Sequence, residues 1–126
     1  MPKIKIELNS QMILEGELFD DEFFQKIERN FPLEFQMDRW GEELYGVFPI
    51  KIGNIEGDFQ EVMDKGDVAY HPETGWFCIF WGKTPSSKGE EIRAALPVIK
   101  IGSVTGDWEK VSKLEPPVRV KIEIDK

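Results

Sequence analysis

His71 and Cys78 are the only histidine and the only cysteine of the chain. They are therefore its only ready sources of a neutral-pH base and a thiolate nucleophile. A zinc site built on them would need carboxylates for its remaining ligands, and a nucleophile–base triad would have to use His71 as the base. Cys78 lies between Phe77 and Ile79, the setting of a small buried hydrophobe rather than an activated nucleophile. Gly82-Lys83-Thr84 has the end of a phosphate-binding loop. However, Phe77 stands where that motif needs its first glycine, and Pro85 bars the helix that should follow. The sequence thus offers no metal site and no cofactor motif.

Binding chemistry has more to work with. Arg39-Trp40-Gly41-Glu42 sets a guanidinium fork, a flat ring and a carboxylate side by side, with Tyr45 three positions on. The stretch GWFCIFWGKTP, 75–85, is richer still in aromatic residues. In a strand, Trp76, Cys78 and Phe80 share one face while Phe77, Ile79 and Trp81 share the other. A strand apolar on both sides must be covered on both: by core and a helix or loop, or by core and a ligand. Candidate contacts are Trp40, Tyr45, Tyr70, Phe77 and Phe80 for apolar surface, with Arg39, Glu42 and His71 as polar groups. That mixture is typical of ligand pockets. Phe77 and Phe80 point to opposite faces, so one of them belongs to the core. His71, between Tyr70 and Pro72, is either an exposed turn residue or a hydrogen-bonding group at the lip of a groove.

The elements that must position these residues are mostly strands. KIKIEL alternates Ile4, Ile6 and Leu8 with Lys3, Lys5 and Glu7; Val118, Val120, Ile122 and Ile124 alternate with Arg119, Lys121, Glu123 and Asp125. Antiparallel pairing of these end strands would set acid against base and help to close a barrel, which removes exposed edges. Asn9-Ser10 reads as a turn into a strand at 12–18. Asp20 caps a helix whose apolar stripe is Phe23, Phe24, Ile27 and Phe31, stopped by Pro32; that helix would cover one barrel mouth. Short strands are expected at 33–38, 43–48, 49–53, 67–71, 76–81 and 97–104. Asp58 with Glu61 has the form of a capping box opening a short helix to Met63, and Asp107 caps another short helix through Trp108, Val111 and Leu114. Residues 86–91 are polar and read as a loop.

The fold class is thus mainly β, a small closed antiparallel barrel with two or three short helices. At 126 residues the chain is read as a single domain, 1–126, with one core. Its hydrophobic content of 40% and charged content of 32% suit a globular protein. The net charge of −8 repels phosphate backbones and anionic membranes, so neither nucleic acid nor membrane is an expected partner. A lone cysteine builds no internal disulfide, and MPKIKIELNS lacks the apolar core of a signal peptide. A cytoplasmic location is expected.

Two stretches carry a family resemblance. In RWGEELYGVFPIKI, Trp40, Gly41, Glu42 and Tyr45 fit a W-G-E-x-x-Y pattern. In KGDVAYHPETGWFCIFWGKTP, the residues Gly66, Asp67, Tyr70, Pro72, Cys78, Phe80, Gly82, Thr84 and Pro85 fit G-D-x-x-Y-x-P followed by C-x-F-x-G-x-T-P. Together they resemble the small microbial cyclophilin-like proteins, compact barrels of unknown function related in fold to the peptidyl-prolyl isomerases. The F-H-R-x-I-x-x-F-M-x-Q-G-type segment that carries the isomerases' arginine has no counterpart here, so the resemblance implies a fold and not that activity. The leading expectation is a binding module holding an extended peptide or small ligand in an aromatic groove. A divergent isomerase using Arg39 or Trp40 as donor is the enzyme alternative. The structural alternative is a homodimer joined through the outer face of strand 76–81.

Overall fold

The computed structural model describes residues 1–125. Its elements run β1 (Lys3–Leu8), β2 (Met12–Leu18), α1 (Asp21–Ile27), β3 (Leu33–Arg39), β4 (Glu43–Val47), β5 (Phe59–Met63), β6 (Asp67–His71), β7 (Trp76–Phe80), β8 (Ile92–Thr105), α2 (Trp108–Val111) and β9 (Val118–Ile124). The alternating end segments do pair: β1 lies antiparallel to β9, with Lys5 opposite Glu123 and Glu7 opposite Lys121. Their apolar residues Ile4, Ile6, Leu8, Val118, Val120 and Ile122 are buried.

Strand order is β2-β1-β9-β3-β4-β7-β6-β8-β5, and a further β2–β8 pairing closes eight strands into a ring, leaving β5 outside it. The closing seam sets Gly16 against Val104 and Leu18 against Gly102. A Cβ on Gly16 would collide with the Ser103 carbonyl, and one on Gly102 with that of Glu17. The two glycines therefore let the ring shut.

Inside the ring lies the main core. Phe23 of α1, Phe48 and Tyr70 of β6 meet there, with Phe23 at 5.3 Å from each of the other two rings. Phe77 of β7 stacks on Phe48 at 5.3 Å and meets Phe35 edge-on at 5.7 Å. Fully burying one such side chain contributes roughly 1.5–3 kcal/mol. The helix is capped as its sequence predicts, the Phe23 N–H donating to Asp20 Oδ1 at 2.9 Å, and it brings Phe23 and Ile27 into the core.

Five local expectations differ from what forms. The segment Phe59–Met63 is a strand, not the helix that Asp58 and Glu61 suggested. The Glu61 carboxylate reaches Arg93 at 2.9 Å, and pairing with β8 outweighs the local capping signal. Residues 49–53 form no strand; Ile52 and Ile55 are still buried from irregular backbone, held by Lys26 Nζ donating to the carbonyls of Ile52 and Asn54. Both helices stop early, α1 at Ile27, short of Phe31, and α2 at Val111, short of Leu114. The strand expected at 97–104 extends back to Ile92, because β5 supplies an additional edge partner. No helix among the described residues is long and apolar enough to cross a membrane.

Candidate functional site

The doubly apolar strand β7 is covered on both sides by the chain itself. Phe77 and Ile79 face the barrel interior, with Trp81 just beyond. Cys78 and Phe80 face outward and pack with Ala69 of β6, Met63 of β5, and Ala94 and Val98 of β8 in a second, smaller core. The outer face of β7 is therefore not free in the way a partner subunit would require. Its cover is incomplete toward β4, and the gap is a pocket of about 280 Å³.

The two sequence motifs build that pocket together. Gly41 adopts φ +61°, and a Cβ there would come within 2.8 Å of the Lys83 carbonyl and 2.9 Å of Thr84 Cα. Only glycine suits both the left-handed backbone and the close approach. The β3–β4 turn is then sewn to the residues after β7, with Glu42 N–H donating to the Lys83 carbonyl at 2.8 Å and Trp81 N–H to the Glu42 carbonyl at 3.0 Å. Thr84, buried, donates its hydroxyl to the Arg93 carbonyl. Ser87 Oγ accepts from Thr84 N–H at 3.0 Å and Arg93 N–H at 3.3 Å. The Gly82–Pro85 stretch thus anchors the start of β8, whose Ala94–Val98 portion is one pocket wall.

The opposite wall is β4 and β7: Glu43, Tyr45, Trp76 and Cys78, with Trp40 also lining the space. Tyr45 and Trp76 form an aromatic corner, their centroids 5.5 Å apart at 57°. Glu43 is only 5% exposed and has no salt-bridge partner among the described residues. Burial pushes its pKa from the ordinary 4.5 up to about 8, against a smaller opposing effect of the Cys78 thiol that hydrogen-bonds to it. Burial, and then the neighbouring Glu43 charge, push the Cys78 thiol well above its usual range. At neutral pH the pair is therefore a carboxylic acid and a thiol, both protonated. Such a pair can donate hydrogen bonds or yield a proton, but supplies no thiolate.

The residues singled out from sequence fall in four places. Trp40 and Tyr45 line the pocket; Phe80 and His71 lie on the same outer side of the sheet but are buried and do not line it. His71 is at the end of β6 rather than exposed in the turn. Its Nδ1 accepts from the Thr74 N–H at 3.2 Å and lies 2.8 Å from Thr74 Oγ1, while its ring stands 6.3 Å from that of Trp76. Tyr70 and Phe77 belong to the barrel interior; burial raises the Tyr70 phenol pKa despite hydrogen bonds with the backbone of Gly53 and Ile52. Arg39 and Glu42 form a clamp on α2. Arg39 donates to the carbonyls of Gly41 (2.8 Å), Ser112 and Leu114 (3.3 Å), and its guanidinium carbon lies 5.6 Å from the Trp81 ring centroid. Trp81 Nε1–H donates to Ser112 Oγ at 2.7 Å, and that hydroxyl donates to Glu42 Oε2 at 3.2 Å. Trp81 also stacks on Trp108 at 6.0 Å and 5°.

Glu43, Trp76 and the Ala94–Val98 wall were not among the sequence candidates. The signal for Glu43 was its phase: within ELYGV it shares a face with Tyr45, opposite the buried Leu44. A neighbouring open groove of about 420 Å³ shares Tyr45 and Trp76 with the pocket and runs to Pro116 and Pro117.

A sequence model described as cyclophilin-like matches residues 2–123. The chain belongs to the cyclophilin-like family. No curated protein matches this cyclophilin-like chain. Among solved structures it is similar to the hypothetical protein AF2241 from Archaeoglobus fulgidus, known from its solution structure. The two are 27% identical with a TM-score of 0.79, over 98% of this chain and 95% of that one. It is also similar to McbB, solved in complex with tryptophan, at 13% identity and a TM-score of 0.65, over 95% of this chain but only 44% of McbB. That second likeness is one of fold.

Proposed function

We propose that this cyclophilin-like barrel is a binding module for a small organic ligand, seated in the pocket between the outer face of β4–β7 and the Ala94–Val98 wall of β8. What carries this is one observation: the chain covers the rest of the outer face of β7 but leaves a concave space of about 280 Å³, walled by Trp40, Tyr45 and Trp76, with the buried Glu43 among its lining groups. Apolar walls with a few convergent polar groups, one of them of perturbed pKa, are typical of binding sites. The volume suits one ring or one branched apolar group. The adjoining groove, sharing Tyr45 and Trp76, favours a second form of the same function, in which an extended peptide places one side chain in the pocket. The complex of McbB with tryptophan shows nothing beyond a shared fold at this identity, and the proposal stands on the pocket.

A prolyl isomerase fits less well. Of the two donors named for it, Arg39 is engaged with the carbonyls of the α2 region and does not line the pocket, which leaves only Trp40. The test is a fluorescence titration of the wild-type protein with monocyclic aromatic fragments, repeated on Ala95→Trp. Ala95 lines the pocket and is exposed, so a ring there fills the space without entering either core. Saturable quenching in the wild type and its loss in the variant are expected. Equal binding by both proteins would place the ligand elsewhere.

A further inference from the structure

We propose that the ligand of this pocket is an organic cation, an alkylammonium or aryl-alkylammonium group, held between the aromatic faces and Glu43, and that its binding expels the proton of Glu43. The inference rests on the small-ligand reading above. Three features point to positive charge. Tyr45 and Trp76 meet at 57° with their centroids 5.5 Å apart, and Trp40 adds a third ring to the same space; aromatic faces attract ammonium groups, the more so where water is excluded. Glu43 is buried there with no cation paired to it among the described residues, so the pocket holds a latent negative charge. The whole molecule carries −8, which draws cations and repels anions.

The other titratable groups lining the pocket are the Cys78 thiol on β7 and the Tyr45 phenol on β4. The β8 wall of Ala94, Ala95, Leu96 and Val98 brings none, nor does Trp40. Cys78 stays protonated across the neutral range, which leaves Glu43 to give up the proton. An ammonium beside Glu43 stabilises its carboxylate, and the acid proton passes to solvent: one cation bound, one proton released, with no bond formed to the ligand. For an acid that titrates near pH 8 when the pocket is empty, affinity for a permanent cation rises about tenfold between pH 7 and pH 9.

The probes are benzyltrimethylammonium, which cannot titrate, and 2-phenylethanol as a neutral partner of similar ring size. Calorimetry at pH 7 in buffers of different ionisation enthalpy reads the proton count. Tighter binding of the cation, release of close to one proton, and the tenfold rise with pH are expected. Glu43→Gln, checked for folding by its thermal transition, should lose both proton release and pH dependence. If the alcohol binds as well as the cation and neither releases a proton, the cation proposal is overturned while the binding pocket survives. If neither probe binds the wild type at millimolar concentration, both the cation and the small-ligand reading fall. The wild-type pH series decides the matter even if the Gln variant does not fold.

Discussion

Glu43→Gln should change how stability depends on pH more than it changes stability itself. In the unfolded chain the carboxyl titrates near 4.5, and in the folded barrel near 8. The folded state therefore holds a proton that the unfolded state has lost throughout that interval, so stability falls as pH rises. The contribution is fully present below pH 4.5 and is gone above pH 8. At about 1.4 kcal/mol per pH unit, the whole difference is about 5 kcal/mol, of which about 4 kcal/mol is lost between pH 5 and pH 9. That is a large share of the roughly 5–15 kcal/mol that holds a small domain together. Urea unfolding followed by tryptophan fluorescence at pH 5, 6, 7, 8 and 9 measures it, with the variant subtracting every other titrating group. The wild-type midpoint should drop by about 2 M urea more than that of Glu43→Gln across the range. Parallel curves for the two proteins would mean that Glu43 ionises normally, and that the pocket around it is wetter and more polar than its lining implies.

Arg39→Ala should cost about 2–3 kcal/mol in denaturant unfolding, because three carbonyls near the turn and α2 lose their donor and Trp81 loses its cover. Ligand affinity should hardly change, since Arg39 does not line the pocket. Gly16→Ala should destabilise by about 2–3 kcal/mol as the new methyl pushes β2 off the Ser103 carbonyl; thermal unfolding beside Gly53→Ala, where a Cβ meets nothing within 4 Å but the positive φ persists, separates collision from backbone strain. Cys78, buried and with its thiol pKa raised, should react with an aromatic disulfide reagent on the order of 100-fold more slowly in the native protein than in urea. Rapid native labelling would show that the second core opens readily.

Much of the barrel was legible because period-2 patterning reports which face of a strand is buried. KIKIEL and VRVKIEI declared their faces, and their charges pointed to the antiparallel pairing that sets acid against base. One failure shows a local rule competing with a distant partner. Asp58 and Glu61 meet the spacing of a capping box, yet Glu61 finds Arg93 across the sheet and the segment becomes an edge strand. The candidate site was half legible. Trp40 and Tyr45 were found because a flat ring beside polar groups stands out in any sequence, but Arg39 and Glu42 stand out equally and serve to fasten α2. The phase of Glu43 beside Tyr45 was readable, but its burial was not: that comes from its partner strand β7 and the β8 wall, both distant in sequence. The position of β8, which decides what is wall and what is core, depends on the Thr84 and Ser87 hydrogen bonds to Arg93, and no periodicity encodes them.

The most direct measurement of the binding claim is a two-dimensional ¹H–¹⁵N spectrum of the labelled protein titrated with benzyltrimethylammonium and, separately, 2-phenylethanol. Progressive shifts are expected for the indole N–H signals of Trp40 and Trp76 and for the amides of Glu43, Tyr45 and Ala94–Val98, with the Trp81 and Trp108 indoles unmoved. Shifts centred on Trp81 and Trp108, or no shifts with either compound at millimolar concentration, would contradict the assignment of this pocket.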